Sequence, residues 1–494
     1  MSLKLSFIIS LLFASFAIAQ TGAPTDYLSS QFHKERRDAL RNKMPNNSVA
    51  VFFGNPVRNR ANDVDYVYHQ DPDFYYLTGY KEPNSVLVVF SNNQTNKEGK
   101  TYNEILYVQE KNPQAEQWTG MRLGIEGAKK DLGFEVALNG KDFLNSGIDY
   151  SSFSAVHFKN FNDDYRNSKR DGADLFKLVA AFKTQIGYDQ KETPQMDSKI
   201  QKELNLKKNL TTKKSILDTK SINTYMASLR EKKTKEEMVL LTKAVRISAM
   251  GQREIMKAMH PGMSETEIQG VHEFVYKKYG SEFEGYPSIV GAGNNGCVLH
   301  YIENSKTTVD NELVLMDLGA EYHGYTADVT RTIPANGKFS PEQKLIYDLV
   351  YQAQEAGIEA AKIGRTFKST DVIARKVIYD GLIKLGIADS DEEAAKFFPH
   401  GLGHHIGLDV HDPGLYNLIE ANMVITIEPG IYIPKGSDCD EKWWGIAVRI
   451  EDDILITANG PVNLSAEAPR KSSEIEALMK EKSVLDAFLL PNLD

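Results

Sequence analysis

The chain has 494 residues and a formal net charge of −9 at pH 7. This length exceeds one ordinary hydrophobic core and predicts two domains. An apolar share of 41% and a charged share of 25% are typical of a soluble globular protein. The acidic balance, without a stripe of Lys and Arg, excludes an electrostatically driven nucleic-acid-binding function.

The N-terminus predicts a secretory signal peptide over residues 1–19. Lys4 precedes an apolar run at 5–16, and Ala17 and Ala19 form a small-residue cleavage site. The run is shorter than the ~20 residues of a membrane-spanning helix, so an uncleaved anchor is only the alternative. We expect export to the periplasm or the extracellular space, with no membrane attachment after cleavage. Two cysteines do not make a disulfide scaffold; one bridge between Cys297 and Cys439 is the alternative, and we favour two free thiols.

Strand-like apolar runs alternate with helical stretches in the first half of the chain. Residues 49–53, 85–90 and 104–108 are dense in branched apolar side chains, and 173–182 has a helical pattern. This alternation predicts an α/β N-terminal domain, which we assign to residues 20–215. The lysine-rich stretch at 201–220 is interpreted as a solvated connection near the boundary.

Residues 216–480 predict a second domain of two similar halves. Thr234, with Glu237 as a capping box, begins one helix, and Ser264 begins another. Helical patterns return at 342–363 and 371–385. Strand-like segments follow each helical pair, at 290–301 and 313–331 and then at 423–433 and 446–457. We therefore expect an α+β domain of two pseudo-symmetric helix-helix-strand halves.

Each half carries two carboxylates in its strand-like segments, Asp317 with Asp328 and Glu428 with Glu451. A turn around residues 322–324 would place Asp317 opposite Asp328, about 5 Å across facing strands. Buried carboxylates stay ionised only beside a counter-charge. Two divalent cations would balance all four carboxylates.

Residues 400–412 hold four of the chain's eleven histidines, among glycines: His400, His404, His405 and His411. Imidazole binds divalent transition metals and moves protons near neutral pH, so we expect a ligand here. An oxygen-rich site favours Mn²⁺, with Zn²⁺, Co²⁺ or Fe²⁺ as alternatives. Arg449 offers a competing explanation, a structural salt bridge to one carboxylate.

Residues 291–296 fit the pattern G-x-G-x-x-G. This pattern binds dinucleotides only where it opens a helix. Because residues 297–301 are strand-like, we expect a turn that presents His300 and no nucleotide site.

These motifs resemble those of the pita-bread metallopeptidases, the group of methionine aminopeptidase, prolidase and aminopeptidase P. All five metal-ligand motifs of the group occur in order between about residues 230 and 470. Within the group the chain is most similar to aminopeptidase P. That similarity includes the N-terminal stretches 58–63, 71–80 and 118–124.

The resemblance implies two divalent metal ions held by five ligands, with the second and fifth shared between the ions: Asp317, Asp328, His404, Glu428 and Glu451. It further implies that His300 and His411 flank the scissile bond. Glu428 is the expected general base. His400, Tyr432 and Arg449 are expected to line or support the substrate site.

The implied activity is release of the N-terminal residue from peptides with proline in second position, by a hydroxide that bridges two metals. The expected partners are Xaa-Pro peptides and further copies of the chain, as a dimer or tetramer. Prolidase, which cuts only dipeptides, is the main alternative, and a non-peptidase pita-bread protein is the second.

Overall fold

The computed structural model describes residues 24–167, 171–188 and 216–487. The predicted signal peptide and the lysine-rich connection up to residue 215 lie outside the described residues. Among the helices within those ranges, none is long and apolar enough to cross a bilayer. Cys297 and Cys439 are both free and half-buried, so the expectation of unpaired thiols is confirmed.

The N-terminal part of the chain is built on one mixed six-stranded sheet. The strands in this part of the chain, six in that sheet and two in a separate hairpin, are β1 (Ser48–Phe53), β2 (Asn59–Ala61), β3 (Val64–Asp65), β4 (Val86–Thr95), β5 (Thr101–Val108), β6 (Ala137–Asn139), β7 (Ala155–His157) and β8 (Ile216–Asp218). Its helices are α1 (Ser30–Arg41), α2 (Pro72–Thr78), α3 (Pro113–Thr119), α4 (Gly124–Lys130), α5 (Gly140–Phe143) and α6 (Leu175–Gln185). The strand order is β6-β5-β4-β1-β7-β8, and β2 pairs only with β3.

Successive residues of β1 enter two different cores. Ala50 and Phe52 face the large core that continues into the C-terminal domain, whereas Val49 and Val51 face a smaller core under α6. Side chains alternate between the faces of a strand, so the sheet is covered on both sides. This explains the near-continuous apolar run in β1 and confirms the α/β prediction.

The C-terminal domain has two halves of the predicted helix-helix-strand type. After α7 (Ser221–Arg230), the first half holds α8 (Lys235–Ala258), α9 (Glu265–Lys278), β9 (Phe283–Glu284), β10 (Ile289–Ala292), β11 (Leu313–Asp317), β12 (Ala320–Tyr322), β13 (Tyr325–Thr326) and β14 (Thr330–Pro334). The second holds α10 (Pro341–Ala360), α11 (Phe367–Lys384), α12 (Asp391–Ala394), β15 (Val424–Ile427), β16 (Gly430–Ile433), β17 (Ile446–Arg449), β18 (Asp452–Thr457) and β19 (Gly460–Asn463), before α13 (Ser472–Leu478). Its sheets run β10-β11-β14, β9-β12-β13, β15-β18-β19 and β16-β17.

Local sequence explains where the long helices begin. Thr234 accepts a hydrogen bond from the Glu237 backbone while the Glu237 side chain bonds back to Thr234, the predicted capping box. Ser264 caps α9 in the same position, and Ser340 precedes Pro341 at the start of α10. The N-terminal signals for these helices were therefore readable from sequence.

The strand predicted over residues 290–301 is wrong beyond Ala292. A 3₁₀ turn, Gly293–Cys297, follows β10, and residues 298–301 have no strand structure. The glycine pattern at 291–296 therefore opens a short turn. A dinucleotide-binding fingerprint needs an α-helix at this point. The 3₁₀ turn, and not the predicted strand, is therefore the feature that argues against dinucleotide binding by residues 291–296.

The turn between the two aspartates is centred one residue later than the predicted pairing requires. His323 and Gly324 both have positive φ, 51° and 89°, and Tyr322 pairs with Tyr325 across a two-residue turn. In the same antiparallel register Asp317 lies opposite Thr330, so the predicted pairing of Asp317 with Asp328 is wrong by two residues. A shift of two keeps side-chain orientation, because strand side chains repeat every second residue.

The conformation and the close packing of this turn both require a glycine at position 324. An added Cβ would lie 3.1 Å from both Leu408 and Tyr75, in a left-handed backbone. We expect Gly324→Ala to cost about 1–2 kcal/mol for the backbone and a further ~1–3 kcal/mol for overpacking. Chemical denaturation measures the loss of unfolding free energy.

Gly99→Ala is the matched control. Gly99 also has positive φ, 79°, but an added Cβ there would meet nothing within 4 Å. Its substitution should show the backbone cost alone. Equal destabilisation by the two substitutions would contradict the packing argument.

Candidate metal centre and active site

Asp317 ends β11 and is held by Arg449, the last residue of β17. Arg449 Nη2 donates to Asp317 Oδ2 over 2.6 Å, and its Nη1 donates to the Tyr432 hydroxyl over 2.9 Å. Burial raises the pKa of Asp317, but the guanidinium charge and hydrogen bonds outweigh this effect and leave the pKa below its usual value. The predicted salt bridge therefore exists and neutralises one of the four carboxylates.

A tyrosine hydroxyl connects Asp317 to Asp328. The hydroxyl oxygen of Tyr286 lies 2.6 Å from Asp317 Oδ1 and 2.6 Å from Asp328 Oδ1. Burial and the two aspartates hold the pKa of Tyr286 well above its usual value, so the hydroxyl stays protonated and donates. The aspartates meet through this contact and not as a cross-strand pair.

Glu451 joins the two halves at the base of the site. Its backbone N–H donates to the Thr330 carbonyl over 3.1 Å, and the Thr330 hydroxyl donates to Glu451 Oε2 over 2.6 Å. The other carboxylate oxygen, Oε1, is buried and has no hydrogen-bond partner. A buried acceptor without a partner is rare and points to a missing positive group.

His404 is fixed by its own loop and by the strand β15. The His404 backbone N–H donates to the Thr426 hydroxyl over 3.1 Å, and the Thr426 backbone N–H donates to the His404 carbonyl over 2.8 Å. This approach requires Gly403, because a Cβ there would lie 1.9 Å from the Thr426 carbonyl oxygen. Gly403 therefore allows the close approach that positions the His404 imidazole.

The His404 ring presents Nε2 to the carboxylates. Nδ1 lies 2.9 Å from the His405 carbonyl oxygen, an arrangement that places the proton on Nδ1. Nε2 lies 3.5 Å from Asp328 Oδ2 and 3.6 Å from Glu428 Oε1. An imidazole oriented by a backbone carbonyl in this way is typical of metal ligands.

The remaining three carboxylates are held close together without enough positive charge. Burial raises the pKa of Asp328, Glu428 and Glu451, and repulsion from neighbouring carboxylates adds to the shift in each case. Arg449 offsets part of the charge, but it already pairs with Asp317. The protein alone therefore leaves an excess of negative charge in a buried site.

This arrangement fits divalent metal ions. Asp328, His404 and Glu451 offer ligand atoms that all lie within 4.8 Å of one another. The unpartnered Glu451 oxygen and the free Nε2 of His404 are suitable donors for them. Oxygen-dominated ligation with one imidazole suits divalent first-row metals.

The other predicted site residues surround this cluster at different depths. The His411 ring centroid lies 4.4 Å from that of His404, and both His411 and His300 are exposed to solvent. Burial lowers the pKa of His411, and the nearby His404 and His300 lower it further. His411 is therefore neutral at neutral pH and can accept or donate a hydrogen bond.

A short chain of contacts runs along one side of the site. His400 Nε2 lies 2.8 Å from the Tyr432 hydroxyl, which accepts from Arg449. Burial and the Arg449 charge lower the pKa of His400 to about 4. The His405 side chain, in contrast, is fully buried against Phe367, and only the backbone carbonyl of His405 contributes to the site, by orienting His404.

Sequence reasoning missed three polar residues at the site. Tyr286 and Thr330 contact the carboxylates directly, and Asp453 Oδ2 accepts the backbone N–H of Asp328 over 3.1 Å. Tyr286 lies outside every motif, so no sequence signal marked it. Thr330 and Asp453 stand next to predicted residues, but a hydroxyl or a third acidic residue there has no distinctive pattern.

We expect Asp328→Ala to remove bound metal as well as activity, because it deletes a carboxylate that contacts His404 and Tyr286. Elemental analysis of the purified protein measures the metal directly. Asp310→Ala, which removes an exposed carboxylate of the same domain, is the control and should retain metal. Full metal content in the Asp328 variant would contradict the site.

Both parts of the chain match known protein families. Residues 239–458 match metallopeptidase family M24, and residues 33–146 match the aminopeptidase P N-terminal domain. The Xaa-Pro aminopeptidase of Escherichia coli K12 is 35% identical over 466 residues, which cover 92% of this chain and 98% of that protein. Human Xaa-Pro aminopeptidase 3 is 30% identical over 447 residues, covering 88% and 81% of the two chains.

A solved structure agrees with these matches. Escherichia coli aminopeptidase P, in complex with the inhibitor Pro-Leu, superposes with a TM-score of 0.79 at 33% identity. The match covers 92% of this chain and 99% of that one. The expected fold and family are confirmed: the chain belongs to the aminopeptidase P group of the M24 metallopeptidases, and is a hydrolase of that family.

Proposed function

We propose that the protein is an aminopeptidase that releases the N-terminal residue from peptides with proline in second position. The observation that carries the proposal is the buried cluster of carboxylates around His404, with Asp328, His404 and Glu451 within ligand distance of one another. Relatives that carry the name Xaa-Pro aminopeptidase align over both domains, which supports this substrate class over a general peptidase.

Two divalent ions, most suitably Mn²⁺, would be held by five side chains: Asp317, Asp328, His404, Glu428 and Glu451. The four positive charges of the ions, together with Arg449, would then offset all four carboxylates, and the raised pKa of the buried acids would be relieved. When bound, such ions polarise the scissile carbonyl and lower the pKa of water to near neutrality.

The protein side chains supply proton transfer and positioning. Glu428 is half-buried beside His404 and His400, and burial raises its pKa, which suits a carboxylate that takes up a proton from the attacking water and passes it to the leaving nitrogen. His411 and His300 lie at the exposed mouth, where their imidazoles can hydrogen-bond the substrate amide and the developing oxyanion.

Selection for proline rests on shape. The bond before proline is a tertiary amide without an N–H, and the ring fixes φ, so recognition cannot use a hydrogen bond from that nitrogen. The His400, Tyr432 and Arg449 chain forms a rigid wall, because each member is held by the next. We assign this wall to the proline side of the substrate.

The substrate class is tested with a peptide panel. We expect the metal-loaded protein to release the first residue from Xaa-Pro-Yaa tripeptides and longer Xaa-Pro peptides, and EDTA to stop the reaction. Matched peptides with alanine in second position should react at least tenfold more slowly. Mass spectrometry of the products measures both rates.

The same panel contains the outcomes that would contradict the proposal. Cleavage of Xaa-Pro dipeptides alone would identify a prolidase, and equal cleavage of the alanine peptides would contradict the proline specificity.

His411→Ala should keep its metal and lose most of its turnover. His260→Ala, which replaces an exposed histidine outside the site, is the control. Unchanged turnover in the His411 variant would exclude its proposed role.

We also propose an exported homo-oligomer, a dimer or a tetramer. The N-terminal pattern supports export, and the exposed apolar side chains of Val67, Trp118 and Met121 support self-association. N-terminal sequencing of protein recovered outside the cytoplasm should begin at Gln20, and light scattering should give a multiple of the chain mass. A retained Met1, or a monomer at micromolar concentration, would contradict the respective part.

A further inference from the structure

A buried cluster of charges lies where the two domains meet the histidine-rich loop. Arg230, the last residue of α7, donates from Nη1 to Asp73 Oδ1 over 2.6 Å and from Nη2 to Asp412 Oδ1 over 2.5 Å. Lys233 donates from Nζ to Asp412 Oδ2 over 2.8 Å. These four residues are each less than 5% exposed. We call them the Arg230 cluster.

The Arg230 cluster is electrically neutral within itself. Two aspartates face one arginine and one lysine, and a third cation, the partly exposed Lys159, lies 2.7 Å from Asp73. The cations hold the pKa of Asp73 down at about 2 and keep the pKa of Asp412 low, although burial opposes both shifts. A buried ion set of this kind adds little net stability, but it fixes the relative positions of the groups that it joins.

Each partner of Arg230 belongs to a different part of the molecule. Asp73 lies in α2 of the N-terminal domain, whereas Asp412 directly follows His411 in the histidine-rich loop, residues 400–412. Residues beside Arg230 hold the same loop: the Leu415 N–H donates to the Glu231 carboxylate, and the Lys233 N–H donates to the Asn422 carbonyl. The arginine fork therefore spans from the N-terminal domain to the loop.

The cluster also reaches the ligand side of the loop through one carbonyl. The Asp412 backbone N–H donates to the His405 carbonyl oxygen over 3.0 Å. The same oxygen lies 2.9 Å from His404 Nδ1 and sets that imidazole's orientation. A displacement of Asp412 would thus move the support of His404 together with His411.

We propose that Arg230 and Asp73 are positioning residues for the peptidase reaction, which set His411 and the His404 imidazole through Asp412. The proposal rests on the proposed function for its catalytic consequence, but the geometric part stands independently. It assigns to the N-terminal domain a role in turnover, exercised through Arg230 and Asp412. Neither Arg230 nor Asp73 touches the carboxylate cluster in the described contacts.

The test uses two variants of the full-length, metal-loaded protein. Arg230→Lys keeps the charge but cannot reach Asp73 and Asp412 at once, and Asp73→Asn removes one charge of the fork. We expect kcat on an Xaa-Pro-Yaa peptide to fall about tenfold in each, with KM changed less than twofold. The double variant should fall no further than Arg230→Lys, because both changes break the same link.

Arg37→Lys is the matched control. Arg37 is fully buried and pairs with Glu104 inside the N-terminal domain, so its substitution perturbs a similar buried pair away from the loop. Melting temperatures of all variants show how much stability each has lost. If Arg230→Lys and Asp73→Asn lower kcat no more than Arg37→Lys at equal loss of stability, the role is structural only and the proposal is wrong.

Hydrogen exchange by mass spectrometry separates this inference from the proposed function. Amides in residues 400–416 should exchange at least fivefold faster in Arg230→Lys and in Asp73→Asn than in the wild type, and at the wild-type rate in Arg37→Lys. Unchanged exchange in both variants would refute the positioning role even if the enzyme is active. A wild-type protein inactive on Xaa-Pro peptides would instead contradict the proposed function and leave the exchange result valid. If Arg230→Lys fails to fold, kcat and amide exchange are measured instead on Asp73→Asn and on Lys159→Met. The second substitution removes the half-exposed cation that pairs with Asp73.

Discussion

Mutual repulsion among four closely grouped carboxylates is the constraint on which the rest of the site depends. Asp317, Asp328, Glu428 and Glu451 converge from both halves of the domain, and burial together with their neighbours makes ionisation of three of them unfavourable. The surrounding structure supplies donors from several directions, among them the Arg449 guanidinium and the Tyr286 and Thr330 hydroxyls. These contacts hold the acids in place but leave negative charge unmatched, which is the physical basis for a metal centre.

The two halves of the domain contribute different kinds of residue to the site. The first half contributes aspartates with short side chains, held by Tyr286, whereas the second contributes glutamates, Arg449 and the histidine-rich loop. The halves meet where the Glu451 N–H bonds to the Thr330 carbonyl. Hydrogen bonds at this junction bring Asp328 of the first half and Glu451 of the second close together, so neither half alone forms the cluster.

Much of the architecture could be predicted from the sequence, because it follows local rules. The capping residues Thr234 and Ser264 and the apolar strands mark their elements directly, and the ligand motifs identify the family. The predicted aspartate register was wrong by two residues, because the turn is centred between His323 and Gly324, one residue later than that pairing requires, and only the backbone conformation at these residues settles this. Long-range pairs such as Arg230 with Asp73 and Asp412 leave no sequence pattern at all, because burial and geometry, not spacing, select them.

The junction between Thr330 and Glu451 has a consequence for how the protein acquires its ions. Because ligands from distant parts of the chain meet only after both halves have docked, an unfolded chain offers no preformed cage. A chain that is translocated before folding would therefore arrive without its ions and load them at its destination. The metal found in the mature enzyme would then reflect the ion supply of the compartment in which folding is completed, and not that of the compartment in which the chain is synthesised.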